Sequence, residues 1–145
     1  MYIKIEEMTL TDLENIKNIL ILDFDDFWTY NILKDELNCE NSNYVVAKTL
    51  NDEIVGFAGI KTVFNESDIM NIVVKKSFRN KGIGSLLLKE LIDVSTSLNV
   101  TSITLEVMEE NFSAIHLYEK FGFEIIGIRK NYYKDKNGIV MNKKF

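Results

Sequence analysis

Proline is absent from this chain of 145 residues, and cysteine, histidine and tryptophan occur once each, as Cys39, His116 and Trp28. Without proline the commonest turn stiffener is missing, so the turns must be built from Asn, Asp and Gly. One cysteine excludes an intramolecular disulfide, which fits a reducing compartment. A lone histidine beside a lone cysteine forms no cluster with metal-ligand spacing, so no metal is expected. No apolar run approaches membrane-spanning length, and the start Met1-Tyr2-Ile3-Lys4-Ile5-Glu6-Glu7 has neither a basic n-region nor an apolar h-region. A soluble, cytoplasmic protein with no membrane partner is the expectation. Basic residues are also outnumbered, 17 against 22 acidic, for a net charge of −5. That balance disfavours a general nucleic-acid binder, which would carry a basic stripe, and mildly favours a positively charged partner or substrate.

What is present is ordinary for a globular protein, with 46% hydrophobic and 27% charged residues and neither a repeat nor a low-complexity tract. The length fits one domain over 1–145, large enough to bury about 68–70% of the unfolded chain's surface. Residues 2–6 alternate as a short strand, and Thr9 or Thr11, the latter with Glu14 in capping-box position, can cap a helix carrying Leu13, Ile16, Ile19 and Leu20. A second helix is predicted over about 29–37. The period then changes to two over 44–49 and 53–62, around an Asn51-Asp52 turn, with a third strand over 68–74. After a helix over about 82–98 come a strand over 102–107, a short helix over 112–121, and a strand over about 123–133. Asn137-Gly138 predicts a hairpin to a last strand over 139–142. The order β-α-α-β-β-β-α-β-α-β-β implies an α/β fold with a mixed sheet, at least one parallel pairing, and helices on both faces.

Between the third strand and the long helix lies Arg79-Asn80-Lys81-Gly82-Ile83-Gly84-Ser85. Two glycines one residue apart let the backbone approach a ligand closely, and the new helix presents unpaired N–H groups and its positive dipole end. With Arg79 and Lys81 alongside, the turn reads as a cradle for a pyrophosphate. The alternative is a plain strand-to-helix turn with solvated basic side chains.

Arg79-x-x-Gly82-x-Gly84 after a strand resembles the acyl-CoA signature of the GNAT superfamily of N-acetyltransferases. The downstream Asn111-x-x-Ala114-x-x-Leu117-Tyr118-x-x-Phe121-Gly122-Phe123 resembles that family's second signature. Leu105-Glu106-Val107 and Ile128-Arg129-Lys130-Asn131-Tyr132-Tyr133 are similar, more narrowly, to the RimI group, which acetylates the N-terminal alanine of a small-subunit ribosomal protein. Phe27-Trp28 stands where that group usually carries Pro-Trp, and Lys136-Asn137-Gly138 replaces its acidic pair, both on the expected acceptor side.

The resemblance implies an acetyl-CoA-dependent enzyme that acetylates a protein or peptide N-terminus. It implies acetyl-CoA held by residues 79–85 (Arg79, Asn80, Lys81, Gly82, Ile83, Gly84 and Ser85), by the backbone of Ile72, Val73 and Val74, and by Asn111. Glu106 becomes the candidate general base and Tyr118 the candidate general acid. From residue type and position alone, Glu106 also reads as a solvated strand carboxylate, Tyr118 as a core aromatic and Asn111 as an ordinary helix cap. His116 points away from the Ala114-Leu117-Tyr118-Phe121 stripe and reads as a surface residue. Among the aromatics Phe24, Phe27, Trp28 and Tyr30 and the segment Asn131, Tyr132 and Tyr133, Trp28 and Tyr132 are the candidate acceptor contacts. The competing readings are a GNAT enzyme for a free polyamine or amino sugar, and a non-catalytic acetyl-CoA-binding domain.

Overall fold

The computed structural model describes residues 1–133 and 135–145, and the side chain of Tyr133 lies outside the described set. Its elements follow the predicted order: β1 (Ile3–Glu7), α1 (Leu10–Ile16), α2 (Tyr30–Leu37), β2 (Ser42–Thr49), β3 (Ile54–Val63), β4 (Glu66–Val74), α3 (Ile83–Ser97), β5 (Ser102–Met108), α4 (Phe112–Lys120), β6 (Glu124–Tyr133) and β7 (Lys136–Lys144). The strands form one sheet in the order β1-β2-β3-β4-β5-β7-β6. Every neighbouring pair is antiparallel except β4 and β5.

The helices cover both faces because each strand alternates two apolar sets. On one face Leu13, Ile16, Leu20, Phe24 and Leu33 pack on Tyr44, Val46, Phe57 and Val73. On the other, Ile83, Leu87 and Leu91 of α3 pack on Val45, Ala47, Val55, Ala58 and Ile60. Next to α3, Leu88, Ile103, Leu105, Val107, Phe123 and Met141 form a third cluster against which α4 lays Ala114, Leu117, Tyr118 and Phe121. Full burial of each such leucine contributes about 1.5–3 kcal/mol.

The cap of α1 is Thr9, not Thr11. The Thr9 hydroxyl accepts from the Asp12 amide at 3.1 Å, and the Asp12 carboxylate accepts from the Thr9 amide at 2.9 Å. Asp12 wins over Glu14 because it is buried and pairs with Lys48 at 3.0 Å. Burial alone would raise its carboxyl pKa, but the Thr9 amide and Lys48 together hold it below the ordinary carboxylate value. A lowered folded-state pKa stabilises the fold at neutral pH, and that contribution fades as the pH falls through the lowered value. Asp12→Ala should therefore destabilise the fold by about 1–2 kcal/mol in urea unfolding at neutral pH, with a smaller difference in acid.

The helix predicted through Leu20 stops at Ile16, and residues 20–24 make a π-helical turn closed by the Asp25 amide on the Leu20 carbonyl at 3.0 Å. Such turns are frequent at functional sites.

Asn137-Gly138 does not form the last hairpin turn. Tyr133 pairs with Lys136, and Gly138 lies inside β7 opposite Arg129 on one side and Met108 on the other. The dipeptide serves a close approach instead. A Cβ on Gly138 would come within 3.2 Å of the Tyr132 ring, and the Asn137 side chain accepts from the Asn131 amide at 3.1 Å, where β6 bulges and Asn131 takes φ 57°. Both residue types suit a turn, which is why the pattern misleads.

Candidate active site

The parallel ladder between β4 and β5 is short, running only through Glu66 with Ser102, Ser67 with Ile103 and Asp68 with Thr104. Immediately after Asp68 the β3–β4 register slips, from Ile60 opposite Ile69 to Gly59 opposite Asn71, leaving Met70 as an extra residue. A bulge bends its strand and sharpens the local twist. Beyond it, residues 69–74 of β4 run without a β5 partner, so the sheet opens into a gap. Asn71 anchors the bulge from below, its amide donating to the Tyr44 hydroxyl at 3.1 Å, while the Tyr44 ring lies flat over Gly59 where any Cβ would overlap it.

At the open end of β4 stands the glycine turn. Asn80 and Gly82 both take positive φ, 62° and 82°, and α3 begins at Ile83 with no side-chain cap on its first amides. Successive amides in such a conformation form a concave anion site, reinforced by the helix dipole. A Cβ on Gly84 would stay 4.0 Å from Leu117 Cδ2 and Val74 Cγ2, which is ordinary contact. The fold itself therefore makes no demand for glycine at 84, whereas a group lying against the turn would. Lys81 is exposed beside it. The Arg79 guanidinium is directed elsewhere, with Nε donating to the Val74 carbonyl and Nη2 to the Phe24 carbonyl, each at 3.0 Å. Of the β4 residues named above, Val73 faces the α1–α2 layer, while Ile72 and Val74 face α3.

On the α1–α2 face, the gap opens into a groove of about 1070 Å³ lined in part by Asp25, Phe27, Trp28, Asp68, Glu106 and Tyr132. Three of the residues singled out from sequence, Trp28, Glu106 and Tyr132, thus share one wall system. Glu106 is on this face because β5 points Leu105 and Val107 into the opposite core. Its carboxylate pairs with Arg129 at 3.1 Å, and that guanidinium stacks on the Tyr132 ring 4.4 Å from the centroid. Asp25 builds the Trp28 wall, its carboxylate accepting from the Phe27 amide at 2.7 Å and the Trp28 amide at 3.4 Å. Phe24 itself is core, fully buried 5.8 Å from Phe57, while Phe27 is 65% exposed.

Asp25, Asp26 and Asp68 were not among the sequence candidates, yet they make the groove acidic. Loss of hydration in the groove, then the nearby charges of Glu66 and Glu106, push the Asp68 carboxyl above its ordinary value. Such a carboxylate favours a cation beside it. The sequence held only a faint signal, the Asp25-Asp26 doublet next to Phe27-Trp28.

Tyr118 lies on the other face, within the α4 cluster and 6.0 Å ring to ring from Phe123. Base and acid candidates therefore flank β5 from opposite faces. Asn111 caps α4, its side-chain oxygen accepting from the Ala114 amide and the Ser113 hydroxyl at 3.3 Å each. His116 is exposed, as expected.

A mixed sheet opened between β4 and β5, with a glycine turn at one end and an acidic groove on one face, is the architecture of an acyltransferase domain. The chain belongs to the acetyltransferase (GNAT) family, whose model matches residues 13–123, and it is an acetyl-CoA-dependent N-acetyltransferase. Over 112 residues it is 39% identical to the ribosomal protein bS18-alanine N-acetyltransferase of Haemophilus influenzae, covering 77% of this chain and 74% of that one. A putative enzyme of the same name from Bacillus subtilis is 32% identical over 133 residues, 90% of this chain and 87% of the relative. Among solved structures, the ribosomal-protein-S18-alanine N-acetyltransferase of Escherichia coli superposes with a TM-score of 0.87 at 27% identity, covering 99% and 94% of the two chains. A GNAT family acetyltransferase from Elizabethkingia anophelis, solved with acetyl-CoA bound, superposes with a TM-score of 0.78 at 25% identity over 99% and 98%. The resemblance to the GNAT superfamily and, within it, to the RimI group is thereby shown.

Proposed function

We propose that this chain, acting in the cytoplasm as one catalytic domain over 1–145, transfers the acetyl group of acetyl-CoA to the N-terminal alanine of ribosomal protein bS18. The observation that carries this reading is the β4–β5 gap, which joins an anion-binding turn at its mouth to an acidic, aromatic-walled groove holding Glu106. The relatives named for that reaction support the acceptor.

Each residue then has a task. The amides of residues 80–85 and the Lys81 charge hold the pyrophosphate. The unpaired edge of Ile72, Val73 and Val74 holds the pantetheine arm as an added strand would, with Asn111 alongside from the start of α4. The acceptor amine enters past Trp28 and Tyr132, drawn by Asp25, Asp26 and Asp68. Its nitrogen attacks the thioester carbonyl carbon, Glu106 takes the amine proton directly or through water, the carbon–sulfur bond breaks, and the Tyr118 phenol protonates the departing thiolate.

Gly84→Val tests the donor half. Its branched side chain would project into the space between Val74 and Leu117. Acetyl-CoA affinity of the folded variant should fall about tenfold or more, by calorimetric titration.

For the acceptor half, the same four carboxylates would also suit a polyamine. The test is thiol release from acetyl-CoA with a panel of peptides differing in the first residue, alongside spermidine and an amino sugar. Release confined to alanine-initiated peptides is the expected result, and release confined to the free amines would overturn the acceptor assignment.

A further inference from the structure

The opening residue of the glycine turn reaches out of the donor site altogether. Arg79 stands next to the pyrophosphate cradle, yet two of its donors are committed to main-chain carbonyls, Nε to Val74 at the end of β4 and Nη2 to Phe24 across the molecule. Phe24 is the last residue of the π-helical turn, and its side chain is fully buried against Phe57, so the carbonyl is a fixed point. From that point the chain enters the groove wall. The Asp25 amide closes the π turn on Leu20, and the Asp25 carboxylate then receives the Phe27 and Trp28 amides. Those four residues, 25–28, line the groove on the acceptor side.

We infer that the Arg79 side chain is a positioning strap that sets the acceptor wall of residues 25–28 against the donor turn, and is not a ligand of the CoA phosphates. The planar fork of a guanidinium spans two carbonyls on different segments in a fixed geometry. A lysine ammonium at the same place would keep the charge but is a single point that loses the fork. With the strap cut, the Phe24 carbonyl loses its charged donor, and the segment leading to Trp28 gains freedom at the edge of the acceptor groove. The backbone of residues 80–85 and the Lys81 charge, which the strap leaves untouched, continue to bind the donor. The inference rests on the functional reading above for its kinetic consequence, but not for its structural one.

Two variants separate the strap from a phosphate contact. Arg79→Lys retains the positive charge, and Arg79→Gln retains a hydrogen-bond donor without charge. Both should raise the KM for an alanine-initiated peptide about tenfold, the loss of one charge-assisted hydrogen bond, while the dissociation constant for acetyl-CoA changes less than twofold. A phosphate ligand would behave otherwise: Arg79→Gln would weaken acetyl-CoA binding, Arg79→Lys would largely preserve it, and the peptide KM would stay put. That pattern overturns the inference.

Because Trp28 is the only tryptophan, its fluorescence reports the wall with no acceptor present. Acrylamide quenching of Trp28 should rise about twofold in both Arg79 variants, with Lys81→Gln, which alters the donor turn alone, quenched like the wild type. Unchanged quenching in both Arg79 variants refutes the strap whichever amine the enzyme acetylates. If instead the wild type ignores alanine peptides but the quenching rises, the acceptor assignment fails and the strap stands.

Discussion

Glu106→Gln should lower kcat by about 10²–10⁴-fold while leaving acetyl-CoA affinity unchanged. Glutamine preserves the shape of the side chain and can still accept from Arg129, whose guanidinium now holds the carboxylate at 3.1 Å. What it removes is the capacity to take a proton from the attacking amine. The residue is placed for that task by the alternation of β5, which buries Ile103, Leu105 and Val107 and turns Glu106 toward the groove. Pre-steady-state mixing of the variant with acetyl-CoA and peptide measures the chemical step alone. A wild-type rate in that step would return Glu106 to the status of a solvated strand carboxylate.

Tyr118→Phe should cost a comparable factor, again about 10²–10⁴-fold in kcat. Phenylalanine keeps the ring, so its packing beside Phe123 at 6.0 Å and the α4 cluster survive. The reaction loses the phenolic proton that the leaving thiolate needs. A discriminating control follows from that assignment. An acetyl thioester of a more acidic thiol leaves without assistance, so the deficit of the variant should shrink with such a donor. An equal deficit with both donors would mean that Tyr118 serves packing alone.

The two predictions rest on features of unequal visibility in the sequence. Residues 79–85 were legible because backbone chemistry restricts them: positive φ at Gly82 and the bare amides of α3 call for small residues between a strand and a helix. Glu106 was legible as a polar position on a strand, and its role came only from family resemblance. The element order was readable for the same reason, since the apolar period changes from helical to twofold at each boundary.

Tertiary placement was not readable. Nothing local says that Met70 bulges from β4, yet that single extra residue coincides with the end of the β5 ladder and the start of the gap. The Asp25-Asp26 doublet and Asp68 are distant in sequence and meet only in the groove. Arg79 sits in a motif that suggests a phosphate, while its guanidinium ends on Phe24. Asn137-Gly138 has two structural uses that share one residue preference, a turn and a close approach, and the Tyr132 ring over Gly138 decides for the second.

The acceptor is the centre of the functional reading, and one measurement addresses it directly. The protein is incubated with acetyl-CoA and a single peptide that begins with alanine and carries an internal lysine, and the product is fragmented in a mass spectrometer. One acetyl group on the α-amine of the alanine, with one equivalent of thiol released, is the expected product. An acetyl group on the lysine, or an unmodified peptide, would contradict N-terminal transfer.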